Sequence, residues 1–121
     1  MNIRNFLTEK PQPLNEEKCY IGKEWWYAST LIEASKDLEP YDLHLDSLDL
    51  GVWPWSGISI LRFLQEVICC ASIDLTNPVI MTASGWVMNG WHRICKAILD
   101  GEETIKTVRL LKLPEPDGRE D

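Results

Sequence analysis

The chain has 121 residues, of which 45% are hydrophobic and 26% charged, and a formal net charge of −7. This length suits one domain with its own core, and the acidic balance argues against direct DNA binding, which needs many Lys and Arg contacts. The sequence shows neither a leader pattern nor an apolar run of roughly 20 residues, so we expect a cytoplasmic protein without membrane contact. Four cysteines and two histidines lack metal-ligand spacing, which favours reduced, buried thiols and no metal site.

The two ends of the chain differ in composition from its middle. Residues 1–23 are predicted to form an N-terminal arm, which Pro11 and Pro13 interrupt. Residues 113–121 combine Pro, Gly and charged residues, a composition typical of disorder. The sequence therefore predicts a single domain over residues 24–112.

The first half of this domain contains two predicted helices and a short strand. The first helix spans Trp26–Lys36 and ends before Pro40. A short strand follows at Leu43–Leu45. The clearest helix spans Ile58–Ala71, because its apolar residues recur at helical spacing and predict one buried stripe. That stripe consists of Ile60, Leu61, Leu64, Val67, Ile68 and Ala71.

The second half contains a predicted hairpin, a helix and a strand. The hairpin joins Val79–Thr82 to Trp86–Met88. The helix spans Gly90–Leu99 and ends at Gly101, and Thr104–Leu111 is the last strand. Together the elements predict an α+β domain with a short mixed sheet packed by helices. The apolar stripe of this last helix consists of Trp91, Ile94, Cys95 and Ile98.

The motif Asn89-Gly90-Trp91-His92-Arg93 lies where a strand turns into a helix. The first N–H groups of a helix lack internal partners and carry partial positive charge, so this junction suits an anion. Arg93 can hold a phosphate with two parallel hydrogen bonds, and His92 can donate or carry a proton. The alternative is a solvated Arg93, a Lys96–Asp100 pair and a structural His92. The predicted phosphate-binding residues are Asn89, Gly90, His92, Arg93 and Lys96.

Residues from about Leu43 to Leu111 resemble the ParB/sulfiredoxin superfamily in the order and spacing of their elements. The likeness is carried by Asn77-Pro78-Val79-Ile80, by Gly90-Trp91-His92-Arg93 and by Thr104-Ile105-Lys106-Thr107-Val108. It implies the fold of that superfamily and a nucleotide whose phosphates lie at the Gly90 turn. The nucleotide implied is ATP, ADP or CTP with Mg²⁺, and the reaction class is nucleotide hydrolysis or phosphoryl transfer.

The chain departs from the superfamily at positions that carry chemistry. Trp91 stands at the position of the reactive cysteine of sulfiredoxin, and Cys95 at that of a further ParB arginine. The alternative function is therefore a non-catalytic interaction or regulatory protein, of the kind that phages and other mobile elements encode, with a protein partner. The weak catalytic candidates are His92, Asp46 and Asp49.

Tryptophans supply a second set of binding candidates. Trp53 and Trp55 flank Pro54 in a rigid loop, and such a pair can stack a base or dock a partner. Trp91 can line the nucleotide site in the same way. The alternative for all three is packing in the core.

Overall fold

The structure, a computed structural model, describes residues 17–52, 58–72 and 76–121. In these ranges the chain forms an α+β domain of two sheets and three helices, none of them long and apolar enough to cross a membrane. In chain order the elements are β1 (Lys18–Ile21), β2 (Glu24–Tyr27), α1 (Ala28–Ser35), β3 (Tyr41–His44), a 3₁₀ turn at Leu45–Ser47, α2 (Ile60–Ser72), β4 (Val79–Thr82), β5 (Val87–Asn89), α3 (Trp91–Leu99), β6 (Thr104–Leu110) and β7 (Gly118–Arg119).

The larger sheet has the strand order β3-β6-β4-β5. Strands β4 and β6 are parallel, and the other two pairs are antiparallel. Because successive side chains of a strand point to opposite faces, Ile80 enters a core cluster with α1 and β2, whereas Val79 and Met81 enter a second cluster with Ile94 of α3. The sheet is therefore a central layer, and α3 covers one of its faces.

Glycines set both ends of α3. Gly90 has a φ of 124°, and a Cβ atom there would lie 2.9 Å from Cγ2 of Val79, so the turn from β5 into α3 requires glycine. At the other end, Glu102 N donates to Ala97 O at 2.9 Å and Gly101 N donates to Ile98 O at 3.1 Å. These two hydrogen bonds form a Schellman motif, which confirms the predicted helix end at Gly101.

The predicted arm and tail differ from the structure. The boundary at residues 23 and 24 cuts through the β1–β2 hairpin, and the tail predicted to be disordered contains β7, which pairs with β2. Trp26 Nε1 also donates to the carbonyl of Pro114 at 2.8 Å. The prediction was wrong because the backbone partners of the tail lie some 90 residues earlier in the chain. Residues 1–16 of the predicted arm lie outside the described residues.

The predicted buried stripes of α2 and α3 also require correction. On α2, Ile60 is 78% exposed and Val67 is 45% exposed. On α3 the buried residues include Arg93, whereas Ile98, predicted to be buried, is 41% exposed. An apolar periodicity identifies one side of a helix, but it does not say whether the same chain covers that side.

Candidate functional site

The Arg93 and His92 side chains, which were predicted to bind phosphate at the start of α3, make internal contacts. Arg93 is only 4% exposed. Its guanidinium donates one hydrogen bond to the carbonyl of Asn77 at 3.0 Å and another to Oδ1 of Asn89. Burial lowers the pKa of Arg93, and the nearby Glu17 carboxylate opposes that effect. Arg93 thus points into the protein, although the amphipathic pattern predicted that it points away from the core.

Two carboxylates meet the positive end of α3. Glu66 of α2 contacts His92 Nε2 through Oε2, and these side chains are 12% and 19% exposed. Glu17, just before β1, accepts a hydrogen bond from the Asn89 side chain. Burial raises the pKa of Glu17, as does the charge of Glu66, whereas His92 and Arg93 lower it. We call Glu17, Glu66, Asn89, His92 and Arg93 the polar cluster.

The polar cluster does not fit a bound phosphate or nucleotide. An anion would have to replace the contacts of Arg93 with Asn77 and Asn89, and it would approach the carboxylates of Glu17 and Glu66. Like charges in a partly buried setting repel strongly. Within the described ranges, no group of three or more His, Cys, Asp or Glu side chains is arranged to hold a metal ion. The polar cluster instead connects four parts of the fold: the residue before β1, α2, β5 and α3.

The remaining predicted site residues lie in different places. Lys96 pairs with Asp100 at 3.6 Å, as the alternative reading of the motif predicted. Asp46 is exposed in the 3₁₀ turn. Asp49 accepts a hydrogen bond from Gly51 N at 2.9 Å, and together with Trp91 it lines a cavity of about 180 Å³. Trp53 and Trp55 lie outside the described residues.

The carboxylates beside His92 and Arg93 are those of Glu17 and Glu66, and the sequence offered little to find them. Glu66 lies in the predicted helix Ile58–Ala71, and Glu17 lies in the predicted arm. The one sequence signal that could have identified a carboxylate of the cluster is the position of Glu66 on the polar side of an otherwise apolar helix. Its partner His92 is 26 residues away, beyond the reach of local spacing rules.

The second feature of the molecule is an exposed apolar surface on α2 and α3. Its side chains border a groove of about 310 Å³, which Phe63, Val67, Cys70, Cys95, Ile98 and Leu99 line. Leu99 is 74% exposed. Five apolar residues of α2 are 38% to 78% exposed, namely Ile60, Phe63, Leu64, Val67 and Ile68. By contrast, Gln65 of α2 is only 7% exposed. We call this surface the apolar face; it consists of Ile60, Phe63, Leu64, Val67, Ile68, Ile98 and Leu99.

Comparison of the chain with protein-family models, with curated proteins and with solved structures finds no match. The α+β architecture is established by the structure alone. The resemblance to the ParB/sulfiredoxin superfamily stays a prediction from the residues that carry it.

Proposed function

We propose that this protein is a non-catalytic interaction protein that pairs with a second copy of itself through the apolar face. One observation carries the proposal: α2 turns polar side chains such as Gln65 and Glu66 inward and its apolar residues outward. A soluble amphipathic helix ordinarily does the reverse. A partner that covers the apolar side of α2 accounts for this inverted orientation.

The extent of the apolar face supports a protein partner. Seven large apolar side chains on two adjacent helices make a patch of several hundred Å², a size that marks interaction sites on monomers. Since two copies each contribute this area, pairing buries roughly the 1,200 Å² at the lower end of specific interfaces. Each apolar side chain that becomes fully buried contributes about 1.5–3 kcal/mol.

The charges at the ends of the apolar face suit a second copy. Glu66 contacts His92 and Cys70 contacts Cys95, so α2 and α3 run in the same direction. Arg62, which is half-exposed and also pairs with Glu66 at 3.4 Å, therefore lies at the start of the face. The exposed acids Asp100, Glu102 and Glu103 lie beyond its far end. A two-fold axis, the commonest symmetry of oligomers, brings the basic end of one copy to the acidic end of the other. The charge of −7 on each copy opposes association, so we expect a roughly micromolar dissociation constant.

Nucleotide binding, which the motif predicted, has weaker support. The side chains expected to hold phosphate already have partners within the protein, namely Asn77 and Asn89 for the two terminal nitrogens of Arg93, Glu66 for His92, and Asp100 for Lys96. Only Nε of Arg93 is buried without a hydrogen-bond partner among the described residues. The proposal therefore follows the alternative function, in which the chain interacts without nucleotide chemistry.

Sedimentation velocity over roughly 1 to 200 µM protein, a span around the expected dissociation constant, tests the pairing. We expect the wild type to approach twice the 13.9 kDa of one chain as concentration rises. Val67→Glu and Leu99→Glu each place a charge in the apolar face, so both variants should remain monomers while keeping the wild-type circular dichroism spectrum. Leu111→Glu is the matched control, because Leu111 is 86% exposed in the segment after β6; it should pair like the wild type.

A charge exchange tests the register of the two copies. Arg62→Glu should weaken pairing, and adding Asp100→Arg should restore it, because the exchange recreates opposite charges across the axis. Since Arg62 also pairs with Glu66 at 3.4 Å and Asp100 with Lys96 at 3.6 Å within one chain, both variants have to keep the wild-type circular dichroism spectrum and unfolding transition. A wild type that stays monomeric over the whole range overturns the proposal, as does a Leu99→Glu variant that pairs as strongly as the wild type.

A further inference from the structure

Two thiols from different helices are in contact inside the groove. Cys70 of α2 and Cys95 of α3 are joined by a side-chain hydrogen bond. Cys70 is 4% exposed, whereas Cys95 is partly exposed, and both line the groove beside the apolar face. All four cysteines of the chain are reduced in the structure. The contact therefore unites a buried thiol and an accessible one without a covalent bond.

The hydrogen bond makes the two thiols chemically unequal. Because the Cys70 thiol donates to the Cys95 sulfur, it lowers the pKa of Cys95 to about 7 and raises that of Cys70. The thiolate is the nucleophilic form of cysteine. Burial raises the pKa of Cys19 to about 11, and burial also raises the pKa of Cys69. Of the two thiols in the groove, Cys95 is therefore the more acidic and also the more exposed.

We infer that Cys95 and Cys70 form a peroxide-reactive dithiol site, in which Cys95 is oxidised first and Cys70 then closes a disulfide between α2 and α3. The Cys95 thiolate attacks one oxygen of hydrogen peroxide, the O–O bond breaks, and hydroxide leaves a sulfenic acid on Cys95. The Cys70 sulfur then attacks the Cys95 sulfur, the S–O bond breaks, and water leaves. In sum, two thiols and one hydrogen peroxide give one disulfide and two waters.

The dithiol site does not depend on the proposed pairing, although both lie at the groove between α2 and α3. A second copy on the apolar face covers the groove that Cys95 lines, so oxidation belongs to the separated chain. The dithiol chemistry itself depends only on the contact between α2 and α3 within one chain. Oxidation is therefore measured at the lowest practical protein concentration, where failure of one proposal does not imply failure of the other.

Mass spectrometry after treatment with hydrogen peroxide tests the site. The intact chain should lose about 2 Da as two thiol hydrogens are removed. Trypsin cleaves after Arg62, Arg93 and Lys96, so Cys95 falls in the peptide 94–96 and Cys70 in the peptide 63–93. The oxidised sample should contain these two peptides joined by a disulfide, and reduction should separate them.

Variants assign the roles of the two thiols. In Cys70→Ser, sulfenic acid on Cys95 should persist and be trapped by dimedone. Cys95→Ser should lose the fast reaction with hydrogen peroxide. The control variants Cys69→Ser and Cys19→Ser should behave like the wild type. Between pH 7 and 8.5 the reaction rate should rise much less than that of an ordinary thiol, because the hydrogen bond from Cys70 lowers the pKa of Cys95. A disulfide that joins Cys69 to Cys95, or an intact mass that hydrogen peroxide leaves unchanged, overturns the inference.

Discussion

The position of Arg93 shows how a residue suited to a ligand can instead serve the fold. A guanidinium is stable in a protein interior only where hydrogen-bond acceptors and opposite charge replace water. Arg93 has the carbonyl of Asn77, the side-chain oxygen of Asn89 and the nearby charge of Glu17. It thereby links α3 to the segment before β4 and to the start of β1. The two terminal nitrogens, which suit a phosphate, are thus hydrogen-bonded to the chain itself, whereas Nε is buried without a partner among the described residues.

Replacing Arg93 should therefore destabilise the fold. Arg93→Ala leaves Asn77 and Asn89 without their donor and Glu17 without its neighbouring cation, so we expect a loss of about 3–5 kcal/mol in the free energy of unfolding. Lys96→Ala removes only a partly exposed pair with Asp100 and should lose less than about 1 kcal/mol. Urea denaturation of both variants measures the difference. Equal stability of Arg93→Ala and the wild type contradicts a structural role for Arg93.

At the scale of elements, the sequence predicted most accurately the elements whose ends are set by nearby residues. The bounds of β4 match the prediction, and those of α3 and β6 differ from it by one residue, because Gly90 and Gly101 act within a few residues of themselves. The β1–β2 hairpin is local, with Gly22 at a φ of 61° in its turn, and it was missed because residues 1–23 were predicted to form an arm. Strand β7 was missed because its partner β2 lies about 90 residues away. The direction of Arg93 was missed for a related reason: its partners come from β5 and from the segment before β4.

Strand β7 should contribute measurably to stability. Ending the chain after Leu113 removes the carbonyl that Trp26 Nε1 contacts at 2.8 Å and the backbone hydrogen bonds from Asp117 N to Trp25 O and from Glu120 N to Lys23 O. It also uncovers the Trp25 ring, which lies against Gly118. We expect a loss of about 2–4 kcal/mol from the unpaired groups and the newly exposed aromatic surface.

Thermal and urea denaturation of the truncated chain measure this loss, and Asp117→Ala is the control. That variant removes one exposed hydrogen bond, the one from Tyr27 N to Asp117 Oδ2, and should lose about 1 kcal/mol or less. If the truncated chain unfolds at the same urea concentration as the wild type, the packing of the tail does not stabilise the protein in solution.

At the scale of the whole molecule, the arrangement of polar and apolar groups differs from that of an enzyme with an open site. The ionisable residues of the polar cluster are turned inward and pair with one another, whereas large apolar side chains of α2 and α3 are turned outward. Catalytic groups have to reach a substrate in a pocket, and an interaction protein has to present a surface. This distribution of polar and apolar side chains on α2 and α3 therefore favours recognition of a protein partner over catalysis.

A nucleotide panel distinguishes these two functions on the intact protein. A ligand that binds only the folded state at about 100 times its dissociation constant adds about 2.7 kcal/mol to stability. Because Arg93 has internal partners and two carboxylates lie beside the helix start, we expect ATP, ADP, CTP and GTP to leave the melting temperature unchanged, with or without Mg²⁺.

The variant used beside this panel has to keep the fold, so Arg93→Ala is unsuitable for the reason given above. His92→Gln preserves a hydrogen-bond donor toward Glu66 and removes the group that can carry a proton. A melting temperature that rises with the concentration of one nucleotide, and rises less in His92→Gln, contradicts the interaction function. It means that the folded protein binds that nucleotide with the help of His92, because only a ligand that binds the folded state better than the unfolded one shifts the transition.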